Sequence, residues 1–372
     1  MIPLSEPELS GNEWKYIKEC LDANWVSSAG SYVDLFEARF REYVGSQAAV
    51  VTMNGTAALA LALQTLGVGP GDEVIVPSMT FSASVNPVLY VGATPVFADI
   101  TGDTWVMDTG SAGRLITKKT KAVMPVHLYG NMVDMDSLMR LAENNGLFIV
   151  EDATEALGSE YLYRGAEWKK AGTIGDFGAF SFNGNKVITT GAGGMLVTGS
   201  RTLGEKAKYL SNQAKMVLPN GGFAHRDIGY NYRMPNILAA MGVAQLEKLD
   251  EHIAKKKRNA LFYNSMLREV KGLTLPAEKS NIRHSQWMYS VLVGKSYPCG
   301  RDALIDELKR KGISSRPFFY PLHEMPPYAG FRRDSLEVTQ KVSSEGINLP
   351  SSVGLKQDDI ALVCDALKVG KK

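Results

Sequence analysis

Cysteine is scarce in this chain, and its few copies lie far apart. Among 372 residues it occurs only as Cys20, Cys299 and Cys364. An odd number at these distances forms neither a metal-binding spacing nor a framework for disulfides. We therefore expect a protein that holds no metal and folds without disulfides, as suits the reducing cytoplasm.

The chain also has no large excess of either charge and no long apolar run. The net charge is +2, and acidic and basic residues are mixed along the chain, so nothing points to a nucleic-acid or membrane partner. No run reaches the roughly 18 apolar residues of a membrane-spanning helix. Residues 1–13 lack the basic and apolar regions of a signal peptide. These absences predict a cytoplasmic protein with no membrane or nucleic-acid partner.

Short apolar strands that alternate with helical segments are what the chain does contain. This alternation predicts an α/β domain with a mostly parallel, buried central sheet flanked by helices. The predicted strands lie at 48–53, 73–77, 94–99, 121–126, 147–150 and 177–182, and helices at 32–44, 57–66 and 135–144 fall around and between them.

The pattern changes after about residue 250. A long helical stretch at 236–269 is predicted to join two lobes, and a proline-rich segment at 316–327 follows a strand and a helix. We predict a large α/β domain at 1–250, which includes the N-terminal segment, and a smaller α+β domain at 251–372.

Lys186 follows directly after a buried strand and a tight turn, which is Asn183-Gly184-Asn185. A lysine in this position is held on rigid backbone, and its amine reaches the cavity that the strand end faces. Desolvation there disfavours the ammonium form and makes the amine a Schiff-base nucleophile. The alternative is a solvated lysine in a surface loop.

Gly55 and Thr56 stand between a predicted strand and a strongly helical run. Unpaired N–H groups and the dipole at a helix N-terminus favour an anion such as a phosphate. The alternative is that Thr56 only caps the helix. The segment is not a nucleotide-binding P-loop, because no Gly-Lys-Ser/Thr follows.

Asp152 lies at the end of a predicted strand, where ligands collect in parallel sheets. The carboxylate either caps a helix or pairs with the protonated ring nitrogen of a pyridine cofactor. Glu155, three residues further on, falls on the same helical face.

Seven segments in this order resemble the pyridoxal-phosphate-dependent aminotransferases of fold type I, and more narrowly those that aminate nucleotide-linked keto sugars. The resemblance covers essentially the whole chain. Its segments are WVSS at 25–28, NGTAAL at 54–59, GDEVIVPS at 71–78, PVHLYG at 125–130, EDATEA at 151–156, FSFNGNK at 180–186 and GYNYRM at 229–234.

The resemblance implies a role for each matching residue. It implies that Lys186 binds the cofactor covalently and acts as the general base, that Asp152 pairs with the pyridinium nitrogen, and that Glu155 lies near the ring hydroxyl. It further implies that Phe81 stacks on the ring, that Gly55, Thr56 and Ser181 hold the phosphate, and that Asn231 reaches the phosphate from a second subunit of a homodimer.

The resemblance also implies a reaction with two substrates. L-glutamate would convert pyridoxal phosphate (PLP) to pyridoxamine phosphate (PMP), and a keto sugar nucleotide would then accept the amine. Some relatives carry histidine instead of the lysine and remove a hydroxyl, so Lys186 favours transamination. A different pyridoxal-phosphate reaction, such as dehydration, and a non-catalytic regulator with the same fold are the alternatives.

Two sets of segments imply different sugars. The stretches SRPFFYPLHEMPPY at 315–328 and GINLPS at 346–351, together with His284 and the Trp287–Tyr289 segment, resemble GDP-perosamine synthases. These act at C4 of GDP-4-keto-6-deoxymannose, in the synthesis of lipopolysaccharide O-antigens. FNG at 182–184 and SNQAK at 211–215 instead resemble enzymes for UDP-linked 4-keto-6-deoxy-N-acetylhexosamines. We favour the GDP-linked sugar.

Six further side chains are substrate-contact candidates on the same grounds. For the two histidines, a structural role is the alternative, and for the arginine a surface ion pair. The six are Trp25, Ser27, His127, Arg316, Tyr320 and His323.

Overall fold

The structure, a computed structural model, describes residues 1–368. Its helices are α1 (Glu13–Asp22), α2 (Ser31–Val44), α3 (Gly55–Thr65), α4 (Ser82–Tyr90), α5 (Thr109–Arg114), α6 (Met135–Asn145), α7 (Arg201–Ser211), α8 (Asn236–Leu246), α9 (Leu249–Leu267), α10 (Arg301–Arg310), α11 (Glu337–Glu345) and α12 (Gln357–Leu367). Short 3-10 turns occur at Leu128–Gly130 and Leu322–Glu324.

The strands form one large sheet and three smaller ones. They are β1 (Ala48–Thr52), β2 (Glu73–Pro77), β3 (Thr94–Ala98), β4 (Thr120–Val123), β5 (Phe148–Asp152), β6 (Glu160–Tyr163), β7 (Glu167–Lys170), β8 (Phe177–Ser181), β9 (Gly194–Thr198), β10 (Lys215–Val217), β11 (Phe223–His225), β12 (Leu273–Thr274), β13 (Ile282–Arg283), β14 (Tyr289–Val293), β15 (Arg316–Pro317) and β16 (Gly346–Leu349).

The central sheet has seven strands in the order β1-β9-β8-β5-β4-β2-β3. Neighbours from β8 through β5, β4 and β2 to β3 are parallel, whereas β9 runs antiparallel to both β8 and β1. The predicted α/β class with a mostly parallel central sheet is confirmed. The antiparallel β9 was not expected, because the pattern of apolar residues carries no information about strand direction.

Helices cover both faces of this sheet. Successive residues of β2 alternate between two core clusters: Val74 and Val76 belong to one and Ile75 to the other. On one face, Phe40 of α2 packs edge-on against Phe180 with ring centroids 5.1 Å apart. On the other face lies α3, most of whose side chains are buried. Burial on both faces explains why the strands are continuous apolar runs.

The predicted single helix at 236–269 is wrong, since the structure has two helices there. α8 ends at Leu246 and α9 begins at Leu249. The two pack in different places: α8 lies against α1 and α2, and α9 against α12. At the break, the Glu247 carboxylate accepts hydrogen bonds from Asn12, Tyr16 and Arg39, which fixes the end of α8 to the N-terminal helices.

The C-terminal part has its own antiparallel sheet, β12-β14-β16-β15, and its own core between Ala260 and Leu367. The beginning of the chain joins it, because the Ile2 N–H donates to the Gly312 carbonyl (2.8 Å). Conversely, the Phe97 N–H of β3 donates to the carbonyl of Arg332 (2.9 Å). The division near residue 250 stays a prediction, and residues 369–372 of the predicted small domain lie outside the described residues.

No helix within residues 1–368 combines the length and the apolar character that crossing a membrane requires.

Candidate active site

A cavity of about 410 Å³ opens at the carboxyl ends of the parallel strands. Asp152 is the last residue of β5 and Ser181 the last of β8. The N-termini of α3 and α4 face the same space through Gly55 and Ser84. Because strands of a parallel sheet end at one edge, residues from distant parts of the chain meet here.

Lys186 reaches this cavity from the turn after β8. Its N–H donates to the Asn183 carbonyl (3.0 Å), which closes the turn. Its Nζ lies 3.3 Å from Oε1 of Glu155 and 4.0 Å from the ring centroid of Trp287. The amine therefore lies between a carboxylate and the face of an indole.

Asp152 is 2% exposed, and its carboxylate is held from two sides. Ser84 Oγ donates to Oδ2 (2.6 Å), and the Thr154 N–H donates to Oδ1 (3.1 Å). These two hydrogen bonds fix the orientation of the carboxylate. A fixed anion at this edge of the sheet suits a protonated ring nitrogen as its partner.

Glu155 is buried behind Lys186. Its Oε2 accepts the Tyr129 N–H (3.1 Å), while Oε1 faces the lysine. Burial raises the pKa of this carboxyl, and the Lys186 ammonium opposes the rise. The two charges compensate each other, which makes the burial of Glu155 and the partial burial of Lys186 tolerable.

The N-terminus of α3 forms a cradle for an anion. Asn54 Oδ1 caps the helix by accepting the Ala57 N–H (2.8 Å), and the first intrahelical bond starts at Ala58. The N–H groups of Gly55 and Thr56 precede that bond. A Cβ on Gly55 would lie 2.8 Å from Cγ2 of Thr154, after β5, and 3.1 Å from Cβ of Ser181 on β8, so only glycine lets the helix approach these strand ends this closely.

The cavity fits pyridoxal phosphate on these observations. It offers unpaired N–H groups and Ser181 for a phosphate, an anion for a ring nitrogen and an amine for an aldehyde. Phe81 adds a flat aromatic face that is 58% exposed although it borders the cavity. A volume of about 410 Å³ is ordinary for a cofactor site.

The structure contradicts our expectation that His127 contacts substrate. The ring is completely buried: Nε2 bonds to Glu151 Oε2 (2.8 Å), and Nδ1 accepts the Val133 N–H (3.3 Å). Both nitrogens are thus engaged inside the protein, away from the cavity. The role of His127 is to bond the loop after β4 to the end of β5.

The substrate contact of His323 stays a prediction, and the structure shows a structural contact for its ring. Its Nδ1 lies 2.7 Å from Ser78 Oγ, its ring is buried, and it does not line the cavity. This imidazole fastens the segment after β15 to the loop that follows β2, and burial lowers its pKa.

The other substrate candidates fall into two groups. Arg316 lines the cavity beside Phe319, with its guanidinium carbon 5.8 Å from the ring centroid. Trp25, Ser27 and Tyr320 are exposed and lie outside the cavity wall of this chain. Their contact with substrate stays a prediction.

Asn231 is also exposed and does not reach the cavity within its own chain. An exposed side chain is accessible to a second subunit. Its role stays a prediction as well.

Two residues of the site were missed at the sequence level. Ser84 holds Asp152, and its position three residues after Phe81 at a helix start was the available signal. Trp287 lies under the Lys186 amine but comes from the strand region of the C-terminal part. No local pattern connects Trp287 with the lysine.

The fold and this arrangement define a pyridoxal-phosphate-dependent transferase. Within that class, the chain belongs to the DegT/DnrJ/EryC1/StrS aminotransferase family, which matches residues 7–368. It is therefore an aminotransferase, and the predicted cofactor is confirmed.

Relatives agree along nearly the whole chain. The GDP-perosamine synthase of Caulobacter vibrioides is 45% identical over 98% of this chain and 97% of its own length. The GDP-perosamine synthase of Vibrio cholerae is 43% identical over 99% of this chain and 98% of its own length. The solved PMP-form of Spr1654 from Streptococcus pneumoniae superimposes with a TM-score of 0.92 at 28% identity, over 99% and 98% of the two chains.

Proposed function

We propose that this enzyme transfers the amino group of L-glutamate to C4 of GDP-4-keto-6-deoxymannose and so forms GDP-perosamine. The observation that carries the proposal is the similarity to two GDP-perosamine synthases, at 45% and 43% identity over 97% or more of each chain. Lys186 stands at the position that transamination needs, which supports amination over removal of a hydroxyl.

In this proposal, each side chain of the cavity has one task. Bound pyridoxal phosphate supplies an electron sink and carries the amino group between the two substrates. Asp152, fixed by Ser84, would hold the proton on the ring nitrogen. Gly55 and Thr56 would bind the phosphate through their N–H groups and Phe81 would cover one ring face.

Lys186 would hold the cofactor at rest and move protons during the reaction. Its Nζ, once free, would take a proton from the reacting carbon of one substrate and return it to a neighbouring atom. Glu155, 3.3 Å away, would stabilise the ammonium that forms. Arg316 on the cavity wall is suited to a phosphate of the nucleotide or to a carboxylate of the amino donor.

We further propose that two copies of this chain complete each other's site. The support is an exposed apolar region near Asn231: Ile228 is 86% exposed and Phe223 on the β10–β11 hairpin is 59% exposed. Large apolar side chains that are this exposed favour a protein contact. A second copy seated there would bring its Asn231 to the phosphate.

The product identifies the substrate directly. The enzyme is incubated with glutamate in two parallel reactions, one with GDP-4-keto-6-deoxymannose and the other with a UDP-linked 4-keto-6-deoxy-N-acetylhexosamine. The product of each reaction is identified by mass. An amino sugar from the GDP-linked substrate supports the proposal. An amino sugar from the UDP-linked substrate alone would replace the sugar, and no amination of either, with cofactor bound, would favour a regulator.

A further inference from the structure

Lys256 of α9 is a buried lysine, and no carboxylate within residues 1–368 forms an ion pair with it. It is 4% exposed, and its Nζ donates to two main-chain carbonyls, of Trp287 (3.1 Å) and of Ser351 (2.5 Å). Burial lowers the pKa of this amine to about 7. An apolar side chain at this position would avoid the cost of desolvating an amine. We therefore ask what the two hydrogen bonds of the lysine achieve.

The carbonyl that Lys256 holds belongs to the residue under the reactive amine. The Trp287 indole is 1% exposed, its ring centroid lies 4.0 Å from Lys186 Nζ, and its Nε1 donates to the Asn185 carbonyl (2.7 Å). Trp287 is therefore fixed twice: its backbone to α9 by Lys256, and its side chain to the turn that carries Lys186.

The position of the indole affects the reactivity of Lys186. The face of an indole attracts an ammonium, whereas only the neutral amine attacks an electrophile. The charged groups that face Lys186 in the cavity are Glu155, Asp152 and Arg316. A displacement of the ring changes the contact with the ammonium while these three charges keep their places.

We propose that Lys256 is a positioning residue for Lys186 and acts through Trp287. The proposal rests on the function proposed above only in taking Lys186 to be the reactive lysine. Lys256 bonds Trp287, two residues before β14, to Ser351, two residues after β16. It thereby transmits the packing of the C-terminal sheet to the floor of the cavity.

Labelling with cyanate tests the proposal on cofactor-free, full-length protein. Cyanate is small and carbamylates only neutral amines, and mass spectrometry of the peptide with Lys186 gives the rate. The variants are Lys256→Met, Lys256→Gln and Trp287→Leu. Tyr263→Phe is the matched control, since Tyr263 on the same helix donates to the neighbouring Pro350 carbonyl (3.0 Å) and has no bond to Trp287.

We expect Trp287→Leu to speed the labelling of Lys186 near neutral pH by roughly 2- to 30-fold. This is the fold-change that corresponds to the free energy of a lost cation–π contact. Lys256→Met should act in the same direction with a smaller change, and Tyr263→Phe should match the wild type. The ratio of the labelling rate in these variants to that in the wild type should shrink as pH rises, because the amine is then already neutral. A pocket that only became more open would raise the rate equally at all pH values.

Rates in Lys256→Met equal to those in Tyr263→Phe would overturn the proposal, and so would a ratio that does not depend on pH. If Lys256→Met fails to fold, Lys256→Gln decides, because its amide lies on a side chain one bond shorter and cannot reach both carbonyls. A rate equal to the wild type in that variant again refutes the role. The labelling needs no turnover. A wrong substrate or activity would therefore appear in the product test and leave this comparison unaffected.

Discussion

Glu155 and Lys186 form a partly buried ion pair, with Oε1 of the carboxylate 3.3 Å from Nζ of the amine. Both groups face the cavity in which the strand-end Asp152 also lies. Two acidic groups and one lysine in so small a space suit a ligand that itself carries a protonated nitrogen. The pair thus links the geometry of the site to the pyridine cofactor of the family.

Removal of the Ser84 hydroxyl should weaken the hold on the cofactor. In Ser84→Ala, Asp152 loses a 2.6 Å hydrogen bond to its carboxylate. A bond to a charged group contributes about 1.5–3 kcal/mol, so the dissociation constant of pyridoxal phosphate should rise roughly 10-fold or more. Titration by visible absorbance measures this constant. Ser82→Ala, on the same helix but outside the cavity, should bind as the wild type does; equal affinity of both variants would refute the role of Ser84.

A methyl group on Gly55 should damage the phosphate cradle. In Gly55→Ala the new Cβ would lie 2.8 Å from Thr154 Cγ2 and 3.1 Å from Ser181 Cβ, so α3 must move away from β8. We expect weaker binding of pyridoxal phosphate and of free phosphate, while a gain in helix propensity partly preserves the stability of the fold. The control is Gly199→Ala, which has nothing within 4 Å of the new Cβ. Unchanged cofactor affinity in Gly55→Ala would count against a phosphate at this helix.

Mixing two inactive variants should restore activity if the site is shared. Lys186→Ala lacks the reactive amine, and Asn231→Asp places a negative charge where the phosphate of the partner's site would lie. In a mixed dimer, one site contains both native residues. After random exchange of subunits, we expect about a quarter of the wild-type activity. Activity no greater than the sum of the two separate variants would show that each chain uses its own Asn231 or none.

Lys256 should leave a signature in the pH dependence of stability. Its pKa is about 7 in the folded protein, below the ordinary value of 10.5. Between these two values the unfolded chain binds the additional proton, so the contribution of Lys256 to stability grows as pH rises and is lost as pH falls. Relative to Lys256→Met, the free energy of unfolding of the wild type should rise by at most about 1.4 kcal/mol per pH unit in this window.

Urea unfolding at a series of pH values from neutral to alkaline measures this gain. The exposed Lys271→Met is the control and should show no such slope. A constant difference between the wild type and Lys256→Met would mean that the buried amine keeps its proton.

Local patterns were sufficient for the parallel part of the sheet and for the edge at which the cavity lies. Apolar runs such as Val74–Val76 indicate strands that are buried on both faces, and such strands require a parallel sheet with helices around it. From that topology it follows that Asp152, at the end of one strand, and Lys186, after another, meet at one edge. The resemblance added the roles, but the proximity already followed from the topology.

Features that depend on packing between distant segments could not be predicted from the sequence. No proline or glycine marks the break between Leu246 and Leu249; it arises because the two helices pack on different partners. His127 lies after a strand end, as a ligand-binding residue would, yet the neighbouring strand supplies Glu151 to bury it. Trp287 meets Lys186 only because the C-terminal sheet folds back against the large domain.

The covalent link at Lys186 is the most direct test of the account. The yellow, cofactor-loaded protein is reduced with borohydride, digested and analysed by mass spectrometry. The account predicts that the peptide with Lys186 carries the mass of the reduced cofactor, and that Lys186→Ala protein carries none. An unmodified Lys186 peptide, or the added mass on another lysine, would contradict it.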